Sequence, residues 1–208
     1  VKDRPPKTVD TAEDPPPGWC VDEGSPGVVP PLPEGYVERA VESDGKVISM
    51  SAEICQALTG EGDVQQCLGL HGMSGVGKSV TAVGVAQCEE NGKCFPGGTF
   101  WVRVGQQATR SEVLSEFARQ IAGVRWDSSK VEHRRALLNY LSHLPEMNPK
   151  TAVLVVLDDV WDENQIKEIV MLMKIVSSSK VRLLITARQE SVLTALRITS
   201  RLIEPLSK

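Results

Sequence analysis

The chain has 208 residues, enough for one well-buried domain, and its apolar (41%) and charged (24%) fractions are those of a globular protein. A formal net charge of -4 gives no basic field to hold a polyphosphate backbone, which argues against nucleic acid as a partner and requires any phosphate site to be built locally. No run approaches the roughly 18 apolar residues that span a bilayer, and the N-terminus lacks a charged-then-apolar signal pattern, so the expectation is a cytoplasmic protein with no membrane partner.

Residues 1 to 33 hold nine prolines (Pro5, Pro6, Pro15, Pro16, Pro17, Pro26, Pro30, Pro31, Pro33) among Asp, Glu, Gly and Ser. With few large apolar groups to offset its ordering entropy, this stretch reads as a flexible proline-rich arm, leaving 34–208 as the folded domain. Apolar periodicity predicts a short helix from Ile48 to Leu58. Cys67-Leu68-Gly69-Leu70 reads as a buried strand that runs into a glycine-rich loop, and a helix follows from Lys78 to about Cys88, ended by the turn signal Asn91-Gly92. After the breaker Pro96-Gly97-Gly98, Thr99 to Val104 is β-rich. Two amphipathic helices come next, one with Val113, Leu114, Phe117 and Ile121 on a face, the other with Val131, Leu137, Leu138, Leu141 and Leu144. Thr151 to Leu157 and Val181 to Thr186 are near-continuous apolar runs, the pattern of strands buried on both faces, and Arg201 to Glu204 reads as a last short strand. Strands alternating with helices predict a three-layer α/β domain with a parallel sheet.

Gly72-Met73-Ser74-Gly75-Val76-Gly77-Lys78-Ser79 matches the Walker A pattern in full, between a predicted strand and a predicted helix. Glycines let the backbone curl so that successive N–H groups point inward, and the helix N-terminus adds its positive dipole end. Phosphates are then held without a basic patch. Gly72, Ser74, Gly75, Val76, Gly77, Lys78, Ser79 and Val80 are the candidate binding residues, with Lys78 reaching the β- and γ-phosphates and the Ser79 hydroxyl completing a magnesium shell. Asp158 and Asp159 close an apolar strand, where ligands of open α/β sheets collect. Asp158 is the candidate magnesium carboxylate and Asp159 the candidate for positioning or deprotonating a water. Two acids after a strand also commonly start a loop or cap a helix. Arg188, after another such strand, is placed to face a γ-phosphate, although an arginine there is by itself more often solvated. Trp161 is expected to anchor its loop by burial. His71, next to the loop, is within reach of a ligand although such a residue more often packs or faces solvent, and His133 and His143 belong to a helix surface with no metal-ligand spacing. The five cysteines are an odd number at irregular spacing without paired Cys-x-x-Cys geometry, and read as reduced thiols.

These segments in this order resemble the NB-ARC family of signal-transducing ATPases, a nucleotide switch of animal apoptotic protease-activating factors and plant disease-resistance proteins. The resemblance is carried by Leu70 to Val80, by Val153 to Trp161 with its two acids, by Leu184-Ile185-Thr186-Ala187-Arg188, and by Cys94 to Val102, which is especially like the animal apoptotic branch. It implies ADP or ATP with magnesium as cofactor and a mostly parallel five-stranded sheet in which the strand before Arg188 lies between the other two site strands. It also implies that Tyr36-Val37-Glu38-Arg39 covers an adenine, which makes Val37 and Arg39 base-contact candidates; on composition alone they are merely loop. Self-association or signalling protein partners are expected of the full-length protein. The family's helical and winged-helix subdomains, which close over ADP, have no counterpart among the 208 residues, so the chain reads as the core of a longer protein. The competing reading is a catalytic P-loop ATPase or small-molecule kinase. An arginine-rich lid would mark a kinase, and between Asp159 and Lys208 only Arg182, Arg188, Arg197 and Arg201 occur, spread apart.

Overall fold

The computed structural model describes residues 29–43, 45–60, 65–88, 94–122, 131–147, 152–176 and 180–206. In chain order the elements are strands β1 (Ala40–Ser43) and β2 (Lys46–Ser49), helix α1 (Met50–Thr59), strand β3 (Cys67–His71), helix α2 (Lys78–Ala86), strand β4 (Thr99–Arg103), helices α3 (Arg110–Ala122) and α4 (Val131–Met147), strand β5 (Val153–Val160), helix α5 (Glu163–Ile175), strand β6 (Val181–Ala187), helix α6 (Glu190–Ala195) and strand β7 (Thr199–Leu202). Five strands form one sheet in the order β4-β5-β6-β3-β7, and every pairing in it is parallel. β6 lies between β3 and β5, as the resemblance implies, with Leu70 opposite Thr186 and Leu157 opposite Ile185.

Alternation along the strands sorts the core into two layers. Leu68 and Leu70 of β3, Leu154 and Val156 of β5 and Leu184 of β6 face α1 and α2, where Ile54, Leu58, Ala82, Val83 and Val85 meet them. Val153, Val155, Leu157, Val181, Leu183 and Ile185 point the other way, onto a cluster built from α3, α4, α5 and α6. The sheet is therefore sandwiched between helices, the three-layer arrangement expected of strands that read as continuous apolar runs. Full burial of each such side chain is worth about 1.5–3 kcal/mol, so the two layers fix the register of the site strands.

The helix expected from Ile48 begins at Met50 instead. Ser49 has an extended backbone and its side chain accepts a hydrogen bond from the Ala52 N–H, which caps α1, while Ile48 pairs with Val41 in the antiparallel ribbon of β1 and β2. Val29 and Leu32, placed by composition in the arm, pack against the α1/α2 layer, so the packed unit starts before residue 34. Residues 1–28 of the arm, like the Asn91-Gly92 turn, lie outside the described residues. Val113, Leu114, Phe117 and Ile121 of α3 are buried as their periodicity requires, as are Leu137 and Leu141 of α4, with Leu138 packed against them. The side chains of Val131 and Leu144 lie outside the described residues.

Candidate functional site

The loop Gly72 to Gly77 leaves the carboxyl end of β3 with positive φ at Gly72 (147°), Gly75 (77°) and Gly77 (101°). Gly77 is the residue before α2 and carries no side-chain cap, so the first amides of that helix are left to serve a ligand rather than a neighbouring side chain. Space above the curl is open: a Cβ built on Gly75 meets nothing within 4 Å. Val76 is buried beneath the loop and Met73 stands out from it. The Lys78 ammonium donates to the carbonyls of Gly72 (2.9 Å) and Met73 (2.8 Å), which holds its charge inside the curl. Burial, and then the charge of Arg188, lower the Lys78 pKa from the usual lysine value, against the opposing pull of Asp159 and Asp158.

At the next residue, the Ser79 hydroxyl donates to Asp158 Oδ1 at 2.7 Å. The hydroxyl of Thr186, on the neighbouring strand β6, donates to the same oxygen at 2.7 Å and accepts the Asp159 N–H at 2.9 Å. Asp158 is 8% exposed and Thr186 fully buried, so one carboxylate oxygen is fixed by two hydroxyls in a site of low dielectric. Thr186 has no site role in the sequence reading; its signal was a hydroxyl near the end of a strand otherwise buried and apolar. Ser79, Asp158 and Thr186 present hydroxyl and carboxylate oxygens, the donor set that suits a hard cation such as Mg2+, and the open curl beside them suits phosphates.

Asp159 lies within β5 at its irregular end, with φ of 59°, where the pairing with β6 shifts between Leu157 and Val160. Aspartate is one of the few non-glycine residues that tolerates this left-handed region. The turn it makes is held from the other side, because the N–H of Gly105 donates to its carbonyl at 3.0 Å. Next, Asp162 caps α5 with a complete capping box, and the Gln165 side chain accepts from the Trp161 N–H while donating to the carbonyls of Gly105 and Ala108. Arg188 is exposed, and its guanidinium lies over the Trp161 ring at 3.8 Å from the centroid. Trp161 is half-buried, so it is a stacking platform for Arg188 as well as the loop anchor expected of it.

Above the loop, Arg39 donates to the carbonyl of Val76 (2.6 Å) and to that of Glu204 (2.7 Å), which ties the segment before β1 to the start of α2. Val37 beside it is 61% exposed, in the position of a surface open to a ligand. Glu38 points away, accepting from the Ser51 hydroxyl and from Tyr36. His71 does not face the curl: its ring nitrogen is 3.9 Å from Glu190. The structure thus brings Gly72, Ser74, Gly75, Val76, Gly77, Lys78, Ser79, Val80, Asp158 and Arg39 to one end of the sheet, with Asp159 and Arg188 on the adjoining strand ends.

Comparison with known proteins agrees with this geometry. Human apoptotic protease-activating factor 1 is 29% identical over 174 residues, a match that takes in 80% of this chain and 12% of that protein. Among solved structures, Cdc6p from Pyrobaculum aerophilum superposes with a TM-score of 0.52 at 16% identity, over 76% of this chain and 44% of that one. A chain of the Drosophila ORC bound to GC-rich DNA and Cdc6 gives 0.51 at 8% identity, over 76% of this chain and 28% of that one. At such identities these structures speak for the fold alone. The family model described as NB-ARC domain matches residues 48–205, most of the chain, and the protein belongs to that family.

Proposed function

We propose that this chain binds ADP or ATP with magnesium and works as the nucleotide-dependent switch of a cytoplasmic signalling protein, of apoptotic or innate-immune type, with slow or incidental hydrolysis. The observation that carries the reading is the joined set of the open glycine curl, Lys78 held within it, and Ser79 tied through Asp158 to Thr186. Magnesium, when bound, would offset phosphate charge. Ser79 and Asp158 are the residues that would hold it, and Thr186 keeps the Asp158 carboxylate turned toward Ser79. Lys78 supplies a positive charge at the curl, and the amides from Gly72 to Val80 supply donors. Asp159 is the candidate to orient or deprotonate a water, Arg188 to sense the terminal phosphate once it leaves Trp161, and Val37 and Arg39 to frame the base. The relative named apoptotic protease-activating factor 1 supports the apoptotic side of this assignment and self-association as the output, in a longer protein.

Calorimetric titration with ADP and magnesium tests the reading. Lys78→Ala removes one charge-assisted contact, expected to cost about 1.5–3 kcal/mol, or roughly ten- to a hundredfold in affinity. Unchanged affinity would sink the assignment of the curl. Steady-state turnover addresses the catalytic alternative: about 1–100 per second, the range of kinases, would favour an enzyme over a switch.

A further inference from the structure

Away from the nucleotide site, at the opposite end of α2, three cysteines that the sequence spaces far apart come together. Cys55 lies on the buried face of α1, Cys88 just past the end of α2, and Cys94 on the lead into β4. Their sulfur atoms all lie within 4.8 Å of one another. We propose that Cys55, Cys88 and Cys94 form a thiolate site for a thiophilic d10 cation, zinc foremost, which staples α1 and the end of the phosphate-loop helix to the segment leading into the β4 edge strand.

The geometry is that of a site before closure. Zinc–sulfur bonds of about 2.3 Å in a tetrahedral arrangement place sulfurs about 3.8 Å apart, so each thiol needs to move by well under 1 Å from the observed cluster. Cys88 and Cys94 stand outside helix and strand and are half-buried, which gives the chain freedom to make that movement, while Cys55 is 2% exposed and fixed by α1. Cys55 Sγ also donates toward the carbonyl of Val85 (3.6 Å), a bond it gives up when the thiol loses its proton to a cation. Three thiolates leave a fourth position for water, on the half-exposed side. Cysteine as a small apolar filler accounts for burial of Cys55 but does not require three sulfurs to converge at the edge of the core. Binding releases protons, because burial holds the Cys55 and Cys94 thiols above the usual cysteine pKa, so metal affinity falls as pH is lowered.

Cobalt is the probe. The reduced full chain, in a Cys20→Ala/Cys67→Ala background that removes the two other thiols, is expected to bind one equivalent with thiolate-to-cobalt charge-transfer absorption and the intense visible bands of a tetrahedral site, displaced by zinc. Cys88→Ala and Cys94→Ala, each checked for folding by circular dichroism, are expected to abolish the charge-transfer band. No band in the background variant, or a band that survives both substitutions, overturns the site. Should the variants not fold, alkylation of the intact chain decides: zinc is expected to protect Cys88 and Cys94 but not Cys67, and equal labelling of all three with and without zinc refutes the proposal. Neither readout depends on nucleotide, so the result stands apart from the reading of the phosphate loop.

Discussion

At the scale of single residues, Thr186 and Lys78 give the sharpest tests. Thr186 is a fully buried hydroxyl that serves Asp158 and the Asp159 amide together. Thr186→Val keeps shape but leaves a buried carboxylate oxygen with one donor fewer and a backbone N–H without its acceptor, expected to cost about 1–3 kcal/mol in denaturant unfolding. Nucleotide affinity in magnesium should fall with it, as Asp158 loses its orientation; affinity and stability both equal to the parent would show the network to be idle. Asp159→Asn is the complementary change, because asparagine also tolerates the left-handed backbone at φ 59°. Stability and binding should be retained while residual hydrolysis drops. The Lys78 pKa in the free protein is lowered from the ordinary 10.5 by burial and by Arg188. A phosphate ligand favours the charged form and raises it again. Between those two values binding takes up a proton, so ADP affinity falls as pH climbs through the alkaline window. Titrations in two buffers of different ionisation enthalpy measure that uptake, and no uptake at alkaline pH would remove Lys78 from the phosphate contact.

At the scale of elements, what was legible depended on how many competing signals a segment carried. The three strands that deliver the site are apolar runs with turn chemistry after them, and β3, β5 and β6 match their predicted positions within about three residues at each end. The short ribbon β1–β2 was hidden, because four-residue strands with exposed faces have too little periodicity, and Ile48 happens to fall in helical register with Ala52 and Cys55. The Asp44-Gly45 dipeptide was the available hairpin signal. For α5 the signal was Asp162 followed three residues later by Gln165, a capping pattern that the structure uses in full. One helix position departs from propensity altogether. Gly84 sits inside α2, where alanine is the better helix former by about 1 kcal/mol. A Cβ there would lie 2.6 Å from the Ser51 hydroxyl and 2.9 Å from the Tyr36 hydroxyl. Close approach of α1 and of the Tyr36 segment to the phosphate-loop helix therefore requires glycine, and Gly84→Ala should destabilise by about 1–3 kcal/mol despite its propensity. Denaturant melts read the sign directly: a stabilised variant would mean that α1 gives way at no cost.

At the scale of the whole molecule, the site is an assembly of pieces that no local pattern joins. The phosphate loop follows β3, Asp158 ends β5, Thr186 and Arg188 end β6, and Arg39 reaches down from the segment before β1 to the Val76 carbonyl. The motifs name the phosphate loop, Asp158 and Arg188 in sequence, but only the strand order β5-β6-β3 sets Thr186 of the middle strand against Asp158, and strand order is not written in any window of residues. Arg39 was reached through family likeness alone, since a charged residue in a polar loop carries no periodicity to read. A ligand that touches all these pieces stabilises the folded chain and leaves the unfolded one untouched. With ADP and magnesium at a hundred times the dissociation constant, linkage supplies about 2.7 kcal/mol. A chain of this size melts about 2–4 °C higher per kcal/mol, so the expected rise is roughly 5–11 °C. Lys78→Ala, measured at the same nucleotide concentration, should lose roughly half of that rise or more, because its lower affinity leaves the ratio of ligand to dissociation constant ten- to a hundredfold smaller. Hydrogen exchange locates the effect. Protection should grow together at the amides of the phosphate loop, at the Asp159 amide held by Thr186 and at Ser51, whose side chain meets Glu38 above α2. Protection confined to the phosphate loop would mean that the strand ends and the Arg39 segment respond independently of it, and that the site is a phosphate cradle without the coupling a switch requires.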